Sequence, residues 1–525
     1  MNRLQALLTS ENVTAPRSVG DARALADMIG TATGLAVYPK SIIGCGRLVY
    51  WLGRKEEQKY IGMTSKNALP PRWTRCIPEK PTRDALGMLS AACPVSHEAV
   101  RQLAVDLDWL RARTVGLARS FGLGDRLGLA TPGHVRAIAG SGVVPFFAQQ
   151  SIREMSRTRR TPEDVMTDAV VGAFQEGFRD GFGSDADHLK SIEDADRCAA
   201  AGFTLYTVDS GDHVDDDDRD KPETLARKFD SLPWAELETT PGDCRRDFVG
   251  RAFRPSDGIS LTFNEETLVR AAVKYGRAVA HAAKMYRHLA AKLSLDAFEL
   301  EVSVDETATP TTVAEHFYVA RELTRLGVKW VGLAPRFVGR FEKGVDYQGS
   351  LEEFERTFAG HAAIAASPEL GPYKISLHSG SDKFSVYPIV ARLACELVHV
   401  KTAGTSYLEA LRVIAQVEPG LFREILAFAH SRYGVDKATY HVSADPARVP
   451  QADQPADEEL PTLLDQFDAR QMLHVTYGSV LTADDGERYG GRLMEVLKSS
   501  EERYAETLET HLGRHVAPFA RSPQT

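Results

Sequence analysis

A regular alternation of short apolar runs with amphipathic stretches begins at about residue 111 and constrains the fold most strongly. It predicts parallel βα units, because a parallel strand is reached only through a crossover connection such as a helix. Candidate helices include 161–176, 312–326, 351–366 and 407–416. The nine candidate strands are 115–121, 143–149, 184–188, 203–209, 298–305, 329–335, 373–379, 397–402 and 438–443. A (β/α)₈ barrel has eight places, so one run is surplus, with 184–188 and 438–443 as the candidates for exclusion.

The predicted fold class is therefore α/β: a (β/α)₈ TIM-type barrel with an N-terminal β-containing region and a helical C-terminal extension. Residues 1–110 are predicted to be an accessory region with a β-hairpin, and 111–448 to be the barrel. The interval 210–296 is long for one crossover, so we interpret it as an insertion at the top of the barrel, with Asp215 to Asp218 in a solvated loop. A linker rich in proline and acidic residues opens the segment 449–525, which continues as helices.

Composition argues against several classes of protein. A net charge of −9 disfavours a general nucleic-acid binder. The chain has no long apolar run and no apolar signal core at its N-terminus, so we expect a cytoplasmic protein without a membrane span. The six cysteines are scattered without a CxxC spacing, which disfavours thiolate zinc and a disulfide framework. The oligomeric state stays open, and a homo-oligomer is compatible with the sequence.

Ionisable side chains alternate with apolar ones along two of the predicted strands. Lys374, Ser376 and His378 share one face of the first strand, and His399 and Lys401 share one face of the second. Burying such a row costs several kcal/mol unless the groups are paired or bind something. We therefore expect a functional interior.

Polar residues also follow the other predicted strands, where barrels of this type carry their chemistry. In chain order these residues are Gln149, Gln150, Ser151, Asp185, Asp187, His188, Asp209, Glu299, Glu301, Asp305, Glu306, Arg336, Lys343, Lys383 and His441.

A set of carboxylates and imidazoles of this kind suits a divalent metal ion. We predict His378 and His441 as the imidazole ligands, with Glu306 or Asp305 as the carboxylate. No local spacing such as HExxH supports the metal directly.

Lys401 has more than one interpretation. A lysine inside a barrel can have a lowered pKa and attack a carbonyl as a Schiff-base amine, and the segment around it looks like the lysine strand of class I aldolases. It can equally be an ion-pair partner of Glu301 or Asp305, or an anchor for a substrate carboxylate.

Several longer segments resemble the tagaturonate epimerase family of bacterial hexuronate catabolism. They include Asp185-Ala-Asp-His-Leu-Lys190 and His378-Ser-Gly-Ser-Asp-Lys-Phe384. The others are 122–131 with His134, 147–151, 303–307, 333–339, 341–347 and 399–407. The resemblance implies interconversion of D-tagaturonate and D-fructuronate, with a divalent metal ion (Zn²⁺, Mn²⁺, Co²⁺ or Ni²⁺) as cofactor and a keto-hexuronate as the small-molecule partner.

The chemistry of that pair of sugar acids narrows the mechanism. Counting the ketone as C2, they differ at C4, which is β to the ketone, so simple enolisation cannot invert it. Retro-aldol cleavage of C3–C4 followed by recombination can, and so can transient oxidation at C4 by a bound nicotinamide. The chain has no nicotinamide fingerprint, which favours the retro-aldol route.

The roles that follow from the resemblance fall into three groups. Glu306, His378 and His441 hold the metal, and Asp187, Asp209 and Asp305 are the acid–base candidates. The residues expected to contact the substrate carboxylate and hydroxyls are Lys401, Arg336, Lys343, Lys383, Gln149, Gln150 and Ser151. Two alternatives remain: an aldolase-type lyase acting through the metal or a Lys401 Schiff base, and a non-catalytic carbohydrate-binding barrel.

Overall fold

The computed structural model describes residues 2–9, 12–73, 75–78, 81–83, 87–216, 221–256, 258–394 and 396–521. The N-terminal region is built on an antiparallel sheet, which includes the predicted hairpin as the pair Leu48–Lys55 and Gln58–Ser65. The other strands of this sheet are Ala36–Val37, Ile43–Cys45, Thr82–Arg83 and Leu89–Pro94. The helices of this region are Asn2–Thr9, Val19–Thr33 and His97–Asp106.

Eight parallel strands close into a barrel, which confirms the predicted fold class. They are Ser120–Gly122 (β1), Val144–Ser151 (β2), Gly183–Leu189 (β3), Leu205–Asp209 (β4), Glu299–Ser303 (β5), Gly332–Ala334 (β6), Lys374–Leu377 (β7) and Val398–Lys401 (β8). Each strand pairs with the next in chain order, and β8 pairs with β1.

The surplus strand is the last candidate, not the short one. The run 184–188 lies within β3, which pairs with strands on both sides. The prediction of a strand at 438–443 is wrong: a short 3₁₀ turn, Lys437–Thr439, is followed there by irregular chain. Since β8 is already paired with β1, the closed barrel leaves no free edge for a ninth strand.

Helices surround the barrel and connect its strands. Those between successive strands are Thr131–Ile138, Ile152–Thr158, Pro162–Gln175, Ile192–Ala201, Val313–Arg325, Leu351–Ala365 and Tyr387–Ala394. Two more, Thr405–Val417 and Pro419–Asp436, follow β8. No helix among the residues described is long and apolar enough to cross a bilayer.

The connection between β4 and β5 contains three helices, Pro222–Asp230, Pro241–Phe248 and Glu265–Lys292, and a hairpin of Ala252–Ser256 and Ile259–Thr262. This connection forms hydrogen bonds with the loop that follows β5. Asp216 accepts a hydrogen bond from the Ala308 backbone N–H (2.7 Å), and Lys274 donates to the Thr309 hydroxyl (2.9 Å). Asp216 is therefore a loop anchor, contrary to the solvated loop predicted for the acidic run. Asp217 and Asp218 lie outside the described residues.

The C-terminal segment packs against helices that surround the barrel, through its own helices Phe467–Val475, Tyr477–Thr482, Gly490–Ser499 and Glu501–Val516. Its buried polar groups converge on Asp382, in the loop after β7. Arg470 contacts both carboxylate oxygens of Asp382 (3.0 Å), His511 bonds to one of them (2.7 Å), and His515 accepts from the Asp382 backbone N–H (2.9 Å). The guanidinium and the occupied His515 nitrogen make this cluster a structural network and not a cation site.

Candidate active site

Charged side chains occupy the interior of the barrel, where branched apolar side chains usually pack in this fold. Lys401, at the end of β8, places its ammonium 2.8 Å from Asp185, 2.7 Å from Asp187 and 2.9 Å from Glu301. Thr207 accepts a further hydrogen bond from it at 2.7 Å. The alternation of side chains along each strand explains this convergence, because every second side chain points into the barrel, where the inward side chains stack in successive layers.

This network keeps Lys401 charged. Although burial disfavours the ammonium, the three carboxylates hold the pKa of Lys401 well above its usual value. A Schiff-base amine must be neutral to attack a carbonyl, so the electrostatics favour the ion-pair interpretation of this residue. Its partner is Glu301, as expected, together with Asp185 and Asp187 in place of Asp305.

His378 lies between two carboxylates just above the Lys401 network. Its Nε2 is 2.8 Å from Glu301 and its Nδ1 is 3.0 Å from Asp305. Burial disfavours the charged ring, but Asp305 and Glu301 raise the pKa of His378 to about 10.

His188, Asp305 and His378 form a group whose potential ligand atoms all lie within 4.8 Å of one another. His188 lies near the end of β3 and has a left-handed backbone (φ +54°). This conformation is unfavourable for a residue other than glycine and tends to persist at functional sites. Its Nδ1 is buried and makes no aligned hydrogen bond, although Asp187 lies 2.8 Å away. Because Glu301 fixes His378 through its Nε2, the Nδ1 of His378 faces Asp305 and the rest of this group, as in carboxylate–histidine–metal arrangements.

The charge of the surrounding site also fits a divalent cation. Its lysine and arginine side chains are two fewer than its carboxylates. The carboxylates are Asp185, Asp187, Asp209, Glu301, Asp305 and Glu306, and the cations are Arg153, Lys190, Lys343 and Lys401. With His188 and His378 uncharged, as metal ligands are, an ion of charge +2 would balance these side chains, so the residues present fit the predicted group.

The group of residues that could hold a metal ion differs from the predicted ligand set. His378 and Asp305 belong to the three-residue group, whereas Glu306 and His441 do not. Glu306 lies nearby, 3.2 Å from Arg153. His441 is exposed in the irregular segment that replaces the ninth strand, so the premise that placed it at a strand end is wrong. His188 takes the place of the second imidazole.

Gln149 and Gln150 each have one fixed and one unpaired amide atom. Gln149 Nε2 donates to Asp187 (3.1 Å), and Gln150 Oε1 accepts from Arg160 (3.0 Å). Gln149 Oε1 and Gln150 Nε2 are buried without a hydrogen-bond partner among the described residues. Unpaired buried polar atoms cost about 1–3 kcal/mol, which suits a Gln149 Oε1 kept for a ligand. Gln150 lies beside Ala186 on the opposite face of β2 and contacts Arg160, so its position does not match the substrate contact predicted for it. Ser151 instead caps the helix Ile152–Thr158 through the Glu154 N–H.

Asp187 and Asp209 differ electrostatically. Burial opposes ionisation of Asp187, but His188 and Lys401 hold its pKa well below the usual range. Burial raises the pKa of Asp209, and the only hydrogen bond to its carboxylate among the described residues comes from the Gly211 N–H. Asp209 is therefore the better proton acceptor.

The predicted substrate cations have different surroundings. Lys383 is buried and donates to three backbone carbonyls, including those of Glu342 and Ser381 at 2.8 Å, so it anchors loops. The Arg336 backbone N–H donates to Thr311 (3.1 Å), but its side chain forms no ion pair in the part of the chain that is described. Lys343 is partly buried and faces Arg153, Glu306 and Asp305.

The site residues that the sequence analysis missed are His188 as a candidate ligand, Asp185 as a partner of Lys401, and Arg153. The segment Asp185–Lys190 contains the first two, and its density of ionisable residues was a usable signal. The left-handed backbone of His188 was not readable from sequence.

Comparisons with known proteins point to one family. The family model described as UxaE, tagaturonate epimerase, matches residues 38–519. A tagaturonate/fructuronate epimerase of Thermotoga maritima is 43% identical over 483 residues, which cover 92% of this chain and 96% of that protein.

Crystal structures of the fructuronate-tagaturonate epimerase UxaE from Cohnella laeviribosi are also similar. The structure with one glycerol bound has a TM-score of 0.85 at 34% identity, covering 95% of this chain and 99% of that chain. The native structure has a TM-score of 0.84 at 33% identity, with the same coverage. The chain therefore belongs to the tagaturonate epimerase family.

Proposed function

We propose that this protein interconverts D-tagaturonate and D-fructuronate by breaking and re-forming the C3–C4 bond at a divalent metal ion. The observation that carries the proposal is the close group of His188, Asp305 and His378 above the Lys401 network, at the carboxyl ends of the barrel strands. Family membership supports the substrate pair.

His188, Asp305 and His378 would hold the ion. A bound divalent ion would polarise the ketone and the adjacent hydroxyl as a Lewis acid, which stabilises the negative charge that develops during cleavage. Glu301 keeps His378 oriented from below, since its carboxylate lies 2.8 Å from His378 and is itself held by the Lys401 ammonium at 2.9 Å.

The retro-aldol step is redox-neutral. A base removes the C4 hydroxyl proton, the C4–O bond becomes a carbonyl, and the electron pair of C3–C4 passes to an enediolate over C2 and C3. The aldehyde turns its other face to C3, the bond re-forms, and the proton returns to the C4 oxygen. The protein must therefore supply a proton acceptor and retain a three-carbon aldehyde acid.

Asp209 is the residue best suited to exchange that proton, because burial raises its pKa whereas Asp187 is held ionised by cations. Asp187 instead orients Gln149, whose free Oε1 can accept a hydrogen bond from a substrate hydroxyl. Lys401 is held by three carboxylates, so it acts on those carboxylates through its charge and not as a nucleophile.

The test is to incubate the purified protein with D-tagaturonate and follow the products by NMR. We expect D-fructuronate, loss of activity with a chelator, and recovery on addition of a divalent ion. His378→Ala should be folded and inactive. Failure to convert D-tagaturonate with any divalent ion would refute the substrate assignment, and free three-carbon products as the main outcome would indicate a lyase.

A further inference from the structure

Two cations face the mouth of the site from different strand ends. Arg153, after β2, lies 3.2 Å from Glu306, its only carboxylate partner among the described residues. Lys343, in the loop after β6, is partly buried and forms no hydrogen bond or ion pair through its ammonium in the described parts of the chain. Burial lowers the pKa of Lys343 and so does the charge of Arg153, whereas the carboxylates of Glu306 and Asp305 raise it.

The loop that carries Lys343 is rigidly held. Lys383 donates to the carbonyl of Glu342 (2.8 Å), immediately before Lys343. Arg470, from the C-terminal helices, donates to the carbonyl of Gly344 (2.8 Å), immediately after it. Lys343 has its backbone held on both sides, and its ammonium forms no ion pair in the described part of the chain. It is therefore preorganised to bind an anionic group of the substrate.

We propose that Arg153 and Lys343 bind the substrate carboxylate and retain the acid-bearing fragment while the C3–C4 bond is broken. The inference rests on the retro-aldol route proposed above. Cleavage leaves the carboxylate at C6 on the same fragment as the C4 aldehyde. Holding the carboxylate leaves rotation about C4–C5 free, so the aldehyde can present its other face without leaving the site.

The other lysines that line the site are less suited to bind the substrate carboxylate, because their ammonium groups already have partners. Lys401 already has three carboxylate partners and Lys383 has three carbonyl acceptors. Lys190 is paired with Asp212 (2.8 Å). The guanidinium of Arg153 has further donors beyond its contact with Glu306, and its planar fork suits a carboxylate.

The experiment compares Lys343→Met and Arg153→Met with the wild-type enzyme. Each should raise KM for D-tagaturonate roughly 10- to 100-fold, the effect of one charge-assisted hydrogen bond, and should release three-carbon products that the wild-type enzyme retains. Lys343→Arg keeps the charge and should recover most of the affinity. Arg157→Met is the matched control, because Arg157 lies one turn further along the same helix, donates to Thr439 and Tyr440, and has no ion-pair partner among the described residues; its KM should stay within about twofold.

The outcomes separate this inference from the proposed function. An active wild-type enzyme whose KM changes less than about threefold in both Met variants would overturn the carboxylate contact. A raised KM with no release of three-carbon products would refute the role in fragment retention. A wild-type enzyme without epimerase activity would instead refute the proposed function.

Discussion

The buried Lys401 network makes a sharp prediction about stability. Lys401→Met removes the ammonium that lies 2.7–2.9 Å from Asp185, Asp187 and Glu301 and leaves three buried carboxylates without it. Removing one partner of a buried ion pair costs about 3–5 kcal/mol. We expect a loss of that size in the free energy of unfolding, measured by urea denaturation at pH 8.

Part of this loss should be recoverable. Burial already raises the pKa of Asp185 to about 6, so Asp185 should take up a proton first when the lysine is gone. Lys401→Met/Asp185→Asn should therefore be more stable than Lys401→Met alone, with a coupling of about 1–3 kcal/mol in a double-mutant cycle. A Lys401→Met protein within 0.5 kcal/mol (about the scatter of additive sites) of wild type would show that the network does not hold this charge arrangement.

Three further predictions concern other parts of the chain. Burial lowers the pKa of His134 and of His361 to about 4. As the pH falls below about 6.5, these histidines take up protons in the unfolded chain before they do so in the folded protein. Each should therefore lower the free energy of unfolding by about 2 kcal/mol between pH 7 and pH 5. Urea titrations at both pH values test this, and equal stability would contradict it. Asp216→Asn should loosen the loop that follows β5 and lower kcat/KM roughly 10-fold with unchanged folding by circular dichroism; unchanged turnover would exclude a positioning role. Gln149→Leu should raise KM by roughly 10-fold if Oε1 binds a substrate hydroxyl, and an unchanged KM would remove it from the site.

Sequence patterns predicted the barrel well because strand and helix alternation is a local signal. The polar faces of β7 and β8 also followed from alternation alone, so the convergence of His378 and Lys401 was accessible. The identity of the surplus strand was not accessible, because closure of the barrel depends on the pairing of β8 with β1, which lie about 280 residues apart. The choice of His441 over His188 as a ligand followed from that error.

Side-chain roles proved harder to predict where a long-range partner decides them. Lys383 is predicted from the sequence to contact the substrate, yet its ammonium donates to carbonyls from the loop after β6. Asp216 belongs to an acidic run typical of solvated loops, yet it anchors the backbone of Ala308. In both cases the partner lies 38 residues or more away in sequence, beyond the reach of local patterns.

The mechanism is tested most directly with D-tagaturonate that carries deuterium on C4. Breaking C3–C4 leaves the C4–H bond intact, so we expect D-fructuronate with the deuterium fully retained and no primary deuterium isotope effect on kcat. Deuterium lost to water would show that C4 is deprotonated. A primary isotope effect with retention would show hydride transfer, and either result would contradict carbon–carbon cleavage as the route of inversion.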